Sequence, residues 1–311
     1  MRKGLGLLLA DISAYVSGAT PLRSCADAAD DWLHPVDADF YLDDAERYLG
    51  PFDADGLPMQ RFGEAAPVYV PSRTAAYAFV HWSRWRRLGD PAHRDAFLGA
   101  ARWFAAFPQG RIVHDFDLAG MAAPWISGLA QGEALSILAR AELIEPGRWR
   151  QHFDPVFDWL ERPIAGGGTL DTLPDGAPFI EEYPGSQHRH VLNGCLYALV
   201  GLIDRLRIAE DAGTRALLEA VAAGIERNIA GWEASGWSLY ELHPGPLGAP
   251  PNFNTPGYQV VHIALLDYVG RHAGRPALAA AADRLRRALR SPPARIGALA
   301  RKLRYRIVAG W

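Results

Sequence analysis

Three segments of the 311-residue chain place tyrosine next to a carboxylate, an amide or a histidine. Glu181-Glu182-Tyr183-Pro184 leads into Val191-Leu192-Asn193-Gly194-Cys195-Leu196, so two carboxylates and a phenol at the end of a predicted strand face an asparagine on the first turn of an apolar helix. Leu239-Tyr240-Glu241-Leu242-His243 is the second segment, and Pro251-Asn252 with Tyr258 and His262 is the third. Tyr258 and His262, spaced i,i+4, share one helix face. Phenols and carboxylates exchange protons and amides hold hydroxyls, so the three segments fit proton transfer or glycan binding. The same residues also suit a plainer role. Acids are favoured at a helix N-terminus by its dipole, and a histidine on an apolar helix is more often packed in the core than catalytic. Phosphoryl, hydride and metal chemistry rank lower, because there is no Gly-Lys-Ser/Thr loop, no dinucleotide fingerprint after a strand, no Gly-x-Ser-x-Gly elbow and no His-Glu-x-x-His.

The elements that must hold these groups are mostly helices. Residues 1–70 are irregular, punctuated by Pro21, Pro35, Pro51, Pro58 and Pro67, and read as an arm with short strands wrapped on the body. Apolar residues then follow a helical period from Ser72 to Gly89 and again from Pro91 to Pro108. Pro124 is expected to open a third helix, and a fourth spans about Pro146–Leu160. Gly166 to Pro184 reads as a hairpin; helices resume at about His190–Ile208 and Ala209–Ala230, with strand or turn over Ser235–Asn254. Gly257–His272 and Pro276–Arg290 complete eight helices. Helices arriving in pairs predict stacked αα-hairpins, a toroid or incomplete α/α barrel. Its inner helices would line a bowl, and the short β-hairpins near 166–188 and 235–256 would carry functional side chains on the rim. The division expected is an N-terminal arm (1–70), a catalytic α/α domain (71–290) and a basic amphipathic C-terminal tail (291–311).

Hydrophobic residues are 49% and charged residues 22% of the chain, which excludes a disordered protein or a coiled coil. The net charge of −3 hides an asymmetry. Nine of the 32 Lys and Arg residues lie from Arg284 onward with no acid among them, so the body is at −12 and the tail at +9. An acidic body is a poor nucleic-acid binder, and no nucleic-acid partner is expected. Cys25 and Cys195 form neither a disulfide framework nor a ligand-spaced pair, in keeping with a reducing compartment. The apolar run after Arg2-Lys3 is broken at Asp11, so signal cleavage is not expected, and no stretch reaches the ~18 apolar residues of a membrane span. In the tail, Leu299, Leu303, Ile307, Val308 and Trp311 interleave with Arg301, Lys302, Arg304 and Arg306, a pattern suited to an anionic membrane surface. The expected location is therefore cytoplasmic, with peripheral contact on the inner membrane face through this tail; a homodimer is left open. The 10 Trp, 11 Tyr and 12 Phe fit either a large core or a cleft that stacks on flat ligands.

Five ordered blocks between about residues 67 and 272 resemble the D-glucuronyl C5-epimerases. Ala123-Pro124-Trp125-Ile126-Ser127-Gly128-Leu129-Ala130-Gln131-Gly132 is similar to that family's Trp-x-x-Ser-x-x-Ala-Gln-Gly helix. Glu181-Glu182-Tyr183-Pro184 and Val191-Leu192-Asn193-Gly194 resemble its Glu-Glu-Tyr-Pro and Val-Leu-Asn-Gly motifs at the same separation. Pro71 to Ser83, with Tyr77 and His81, resembles its Pro-x-x-x-Ala-x-Tyr-Gly-x-x-His-Tyr-Ser helix, while Tyr240-Glu241-Leu242 and Pro251-Asn252, Tyr258 and His262 fit its closing blocks. The resemblance implies an αα-barrel and inversion of C5 of glucuronic acid to iduronic acid in heparosan-type chains, without metal or other cofactor. The larger relatives carry β-rich N-terminal domains and a membrane anchor, for which the first 70 residues leave little room, so the chain looks like a short bacterial-type member.

Removing a proton alpha to a carboxylate puts a second negative charge beside the first, so donors or cations must neutralise the carboxylate. Inversion further needs one group to take the proton and another to return it on the opposite face. The resemblance implies acid/base roles for Glu182, Tyr183, Tyr240 and Tyr258; the arrangement expected here puts Tyr183 with Glu182 on one face and Tyr258 or Tyr240 on the other, with either side able to abstract. Asn193, Gln131, Arg189, His243 and His262 are candidates to hold the uronate, and Trp125 and Tyr77 to stack on sugar rings. Departures matter. The family's Tyr-Asp-Leu-Arg-His reads Tyr240-Glu241-Leu242-His243-Pro244 here, losing an arginine; Asn254-Thr255-Pro256-Gly257 replaces Ala-Arg-Trp-Asp; and Gln259 replaces a histidine. A highly sulfated substrate is thereby disfavoured against another uronate polysaccharide, oligosaccharide or lipid-linked saccharide. A uronate lyase, another glycan-active enzyme on the same toroid and a non-catalytic glycan-binding protein are the alternatives.

Overall fold

Proline and glycine set the helix boundaries. The computed structural model describes residues 12–118, 120–186, 190–242 and 250–309. Helix α1 (Pro71–Leu88) starts on proline and stops at Gly89, whose φ of 72° only glycine adopts without strain. Asp90 then caps α2 (Pro91–Ala105), accepting from Ala92 N at 2.8 Å. The next helices are α3 (Gly128–Ile144), α4 (Phe153–Glu161), α5 (Leu192–Ile208) and α6 (Ala212–Asn228). They are followed by α7 (Pro256–His272), α8 (Pro276–Arg290) and α9 (Pro292–Ala309). Short antiparallel pairs join them: β1 (Arg23–Ser24) with β2 (Val36–Asp37), β3 (Val113–His114) with β4 (Trp125–Ile126), β5 (Leu170–Thr172) with β6 (Pro178–Ile180), and β7 (Glu233–Ala234) with β8 (Trp237–Ser238). The mostly-α class is as expected.

Burial separates two kinds of helix. α3, α5 and α7 are buried on nearly every face, whereas α8 buries only Leu278, Ala281, Ala282 and Leu285. α1, α3, α5 and α7 follow one another as neighbours, and each is backed by the helix after it. β1 and β2 pack on α7 and the turn Asp39–Leu42 packs on α1, so the N-terminal arm links the two ends of the series. α3 and α5 touch backbone to backbone: a Cβ on Gly132 would collide with Ala198 Cα, and one on Gly201 with Gly132 O. Beside this crossing lies the fully buried ion pair Arg140–Asp204. Ser136 Oγ and Tyr268 Oη donate to Asp204 at 2.6 and 3.2 Å, and Arg140 Nε donates to Trp32 O at 3.1 Å, so α3, α5, α7 and the arm share one polar knot.

Three boundaries differ from the sequence reading. Pro124 does not open a helix: Trp125 and Ile126 pair with His114 and Val113, and α3 begins only at Gly128, whose N–H donates to Glu181 O at 2.9 Å. The fourth helix begins at Phe153, because the Glu142 carboxylate accepts from Gly147 N (2.6 Å) and Trp149 N (2.9 Å) and holds that stretch as a turn. The segment after Ser291 is a ninth long helix among the described residues. α9 buries Ala298 with Tyr15, Trp237, Leu239 and Phe253. Its Arg295 donates to Tyr15 O, Val16 O and Leu289 O at 2.9–3.1 Å, tying down helical residues 12–17. Among the described residues no helix is long and apolar enough to cross a membrane.

Candidate active site

Backbone pairing brings the three tyrosine segments together. The strand-like stretch 239–241 lies between 190–192 and 252–254: Leu192 N donates to Tyr240 O (3.2 Å) and Tyr240 N to Asn252 O (2.9 Å). Glu182 and Tyr183 follow β6, which is registered on β5 through Leu170↔Ile180. Gly194 leaves room for Glu182, since a Cβ there would stand 2.5 Å from Glu182 Cβ. Asn193 Nδ2 donates to Glu182 Oε2 at 3.3 Å. Thr255 caps the first turn of α7, accepting from Tyr258 N at 3.4 Å. The result gathers all four expected acid/base residues.

Their hydrogen bonds have a direction. Tyr183 hydrogen-bonds to the Glu182 carboxylate, which can only accept, so the Tyr183 proton points to it. The Tyr183 oxygen therefore accepts from Tyr240 Oη, 3.3 Å away. The series Tyr240 to Tyr183 to Glu182 ends on a carboxylate, with the Tyr258 ring edge-on to Tyr240 at 5.9 Å. Desolvation, then the Glu182 charge, holds the Tyr183 and Tyr240 phenols well above the usual tyrosine range and Tyr258 at about 12. All three are proton-bearing at neutral pH.

Tyr183 and Tyr258 separate two cavities. The arm-side cavity, about 330 Å³, is lined by Glu133, Glu182, Asn193 and Tyr197 together with His34 and Tyr41 from the arm. Glu133 was not singled out from sequence; its signal is a carboxylate inside the apolar run 129–144. It is buried, its Oε2 has no hydrogen-bond partner among the described residues, and burial and the Glu182 charge push it well above the carboxylate range. The α9-side cavity, about 300 Å³, is lined by Tyr183, Tyr240 and Tyr258 and by Lys302, Tyr305 and Arg306 of α9.

Several expected substrate residues are placed elsewhere. Gln131 is fully buried, its amide oriented to donate to Gly110 O (3.0 Å) and accept from Ile112 N (3.2 Å), so it clamps a loop. His262 is also fully buried beside Asn254 Nδ2 at 3.3 Å, and burial lowers it to about 3, so it is a neutral core residue. Trp125 stacks on His114 at 3.9 Å and donates to Phe116 O; its ring lies 6.0 Å from that of Tyr183 and buttresses it. Tyr77 packs on His81 (4.3 Å) and Phe52 (6.2 Å), and none of these four lines either cavity. Asn193 holds Glu182. Arg189 and His243 lie outside the described residues. Glu181 accepts twice from His190 N and pairs with His190 Nδ1 at 2.7 Å. With Asp171 these two bring potential metal-ligand atoms within 4.8 Å, but Glu181 and His190 already engage each other.

The chain is a mostly helical protein in which one buried carboxylate, Glu182, bonds Tyr183 and through it Tyr240. Residues 103–287 match the family described as "D-glucuronyl C5-epimerase C-terminus", and the chain belongs to that family. It is 26% identical over 214 residues to a D-glucuronyl C5-epimerase of Caenorhabditis elegans, a match covering 62% of this chain and 34% of that protein. The chain thus spans about a third of that relative's length.

Proposed function

We propose that the chain inverts C5 of glucuronate residues in a uronate glycan, giving iduronate, with tyrosines moving the proton. The observation that carries this is the bonded series from Tyr240 through Tyr183 to Glu182, with the Tyr258 ring edge-on to Tyr240 and lining the same cavities as Tyr183. Groups attacking opposite faces of one carbon, each at a contact of about 3 Å, stand roughly 6 Å apart. Tyr183 and Tyr240 oxygens are 3.3 Å apart, too close to serve opposite faces, so the reading assigns them one face and leaves the other to Tyr258. Tyr183 takes the C5 proton while its own passes to Glu182, which makes a phenol of high pKa a usable base. The C5–H electron pair moves into the carboxylate as an enediolate. Tyr258 then delivers its proton to the opposite face, and Glu182 returns a proton through the tyrosines. Glu182 lines only the arm-side cavity and acts through Tyr183, without touching the sugar.

Incubation with glucuronate polymers in deuterated water tests the reading. Deuterium at C5 and iduronate are expected from the wild type. Tyr183→Phe should lose at least about 10³-fold in rate and Glu182→Gln roughly 10²-fold, the usual span for a general base. Tyr258→Phe should keep exchanging deuterium at C5 of glucuronate without inversion, since one face retains its base. No deuterium and no iduronate from any glucuronate glycan would sink the proposal. An unsaturated product absorbing in the ultraviolet would identify a lyase instead.

A further inference from the structure

The arm-side cavity is a poor home for a uronate carboxylate. Its ionisable lining is the Glu182 carboxylate and Glu133, an acid held in its neutral form by burial and the Glu182 charge, and His34 is lowered to about 3 by burial and is neutral, so no cation lines it among the described residues. The α9-side cavity has the opposite character. Lys302 and Arg306, one helical turn apart, line it together with the three tyrosines. Lys302 is fixed by donating to Asn252 Oδ1 at 2.7 Å, and its ammonium lies 5.5 Å from the Tyr305 ring. Tyr305 is buried, which seats this turn of α9 against the body. Glu241 is near enough for its charge to raise Tyr305, after desolvation, but among the described residues the charged groups that line the cavity itself are Lys302 and Arg306. α9 also lies beyond the family match, which ends at residue 287.

We infer that Lys302 and Arg306 of α9 form the anion site that holds the carboxylate of the reacting uronate. The inference rests on the proposed epimerase reading for the word "reacting", but the subsite itself requires only that a glucuronate glycan binds. A guanidinium and an ammonium placed beside C5 would neutralise the carboxylate as the enediolate forms, the term expected to dominate the barrier. The basic residues predicted from sequence to meet a membrane then face the sugar, and the C-terminal helix becomes part of the active site.

Binding of a glucuronate oligosaccharide and of its carboxyl-reduced counterpart to the full chain, measured by calorimetry, tests the site. Wild type should favour the carboxylate form. Arg306→Met and Lys302→Met should each weaken it by roughly 10–100-fold, the scale of one charge-assisted hydrogen bond. Neither should alter the carboxyl-reduced glycan, and Arg306→Lys should recover part of the loss. Equal weakening of both glycans, or of neither, would overturn the site, as would failure of the wild type to prefer the carboxylate. So would variants that keep glycan affinity while losing binding to phosphatidylglycerol vesicles, which would make α9 a membrane surface. Carboxylate-dependent binding without C5 exchange would leave the subsite standing and remove the epimerase reading alone.

Discussion

Glu133 shows how a single buried group couples the site to stability. In the folded chain it holds its proton, because burial and the Glu182 charge both disfavour the carboxylate. An unfolded glutamic acid ionises near pH 4.3, so at pH 7 folding must take up a proton, and the folded state is penalised. As pH falls to the unfolded value the penalty disappears. Glu133→Gln keeps the shape and needs no proton. It should stabilise the protein at pH 7 by on the order of 1 kcal/mol, some 2–4 °C in Tm, with the difference vanishing towards pH 4. Thermal melts at the two pH values check this; a gain that persists at pH 4 would show that repacking, not proton uptake, is responsible. Which residues reach the site was legible for Glu182, Tyr183, Tyr240 and Tyr258, since each is a polar group carried into an apolar context by a short strand or first turn. Gln131 and His262 looked equivalent in sequence. Their burial is decided by Gly110, Ile112 and Asn254, partners remote from, or only loosely tied to, their own pattern.

At the scale of elements, the helices were legible from proline, glycine and period, while the contacts that fix their mutual distance were not. Gly132 sits mid-helix, where glycine ordinarily costs about 1 kcal/mol against alanine, and no helical pattern asks for it. Its reason lies on another element: α5 passes so close that a Cβ would strike Ala198 Cα. Gly132→Ala should therefore destabilise by roughly 1–3 kcal/mol or more, because backbone, not a flexible side chain, must give way. Gly99 in α2 is the contrasting position. A Cβ there would meet nothing nearer than Arg102 Nη2 at 3.8 Å, so Gly99→Ala should stabilise by up to about 1 kcal/mol. Urea unfolding of both variants reads the pair; similar effects at the two sites would mean that α3 and α5 do not cross as described. The start of α3 was misread for a related reason. Ile126 has the spacing of a helical residue, but β3 offers Trp125 and Ile126 backbone partners that no local pattern announces.

For the whole molecule, charge and burial are arranged separately. The basic excess after Arg284 was plain in the sequence, yet its direction was not: Arg295 turns inward to carbonyls of residues 15, 16 and 289, and Lys302 and Arg306 reach the tyrosine cavity. The arm likewise read as irregular, and only the assembled helices show that it brings His34 into the interior. His34 thereby joins His114 and His262 as histidines buried far from water in different elements. Desolvation, the largest cause for each, lowers His34 and His262 to about 3 and His114 to about 4. The unfolded chain protonates each near pH 6.5, so below that pH it binds more protons than the folded chain, and stability falls as pH falls. Each buried histidine contributes up to about 1.4 kcal/mol per pH unit between 6.5 and its folded value. Glu133 works in the opposite sense over part of the range, one group against these three. The free energy of unfolding should therefore drop increasingly steeply between pH 6.5 and 5, with folding releasing well under one proton net at the top of that window and about two or more at its lower end, where His81, lowered to about 4, adds to the three. Denaturant melts at half-unit steps of pH measure the slope directly, and a stability that is flat or rising from pH 6.5 down to 5 would show that these imidazoles reach water in the folded state.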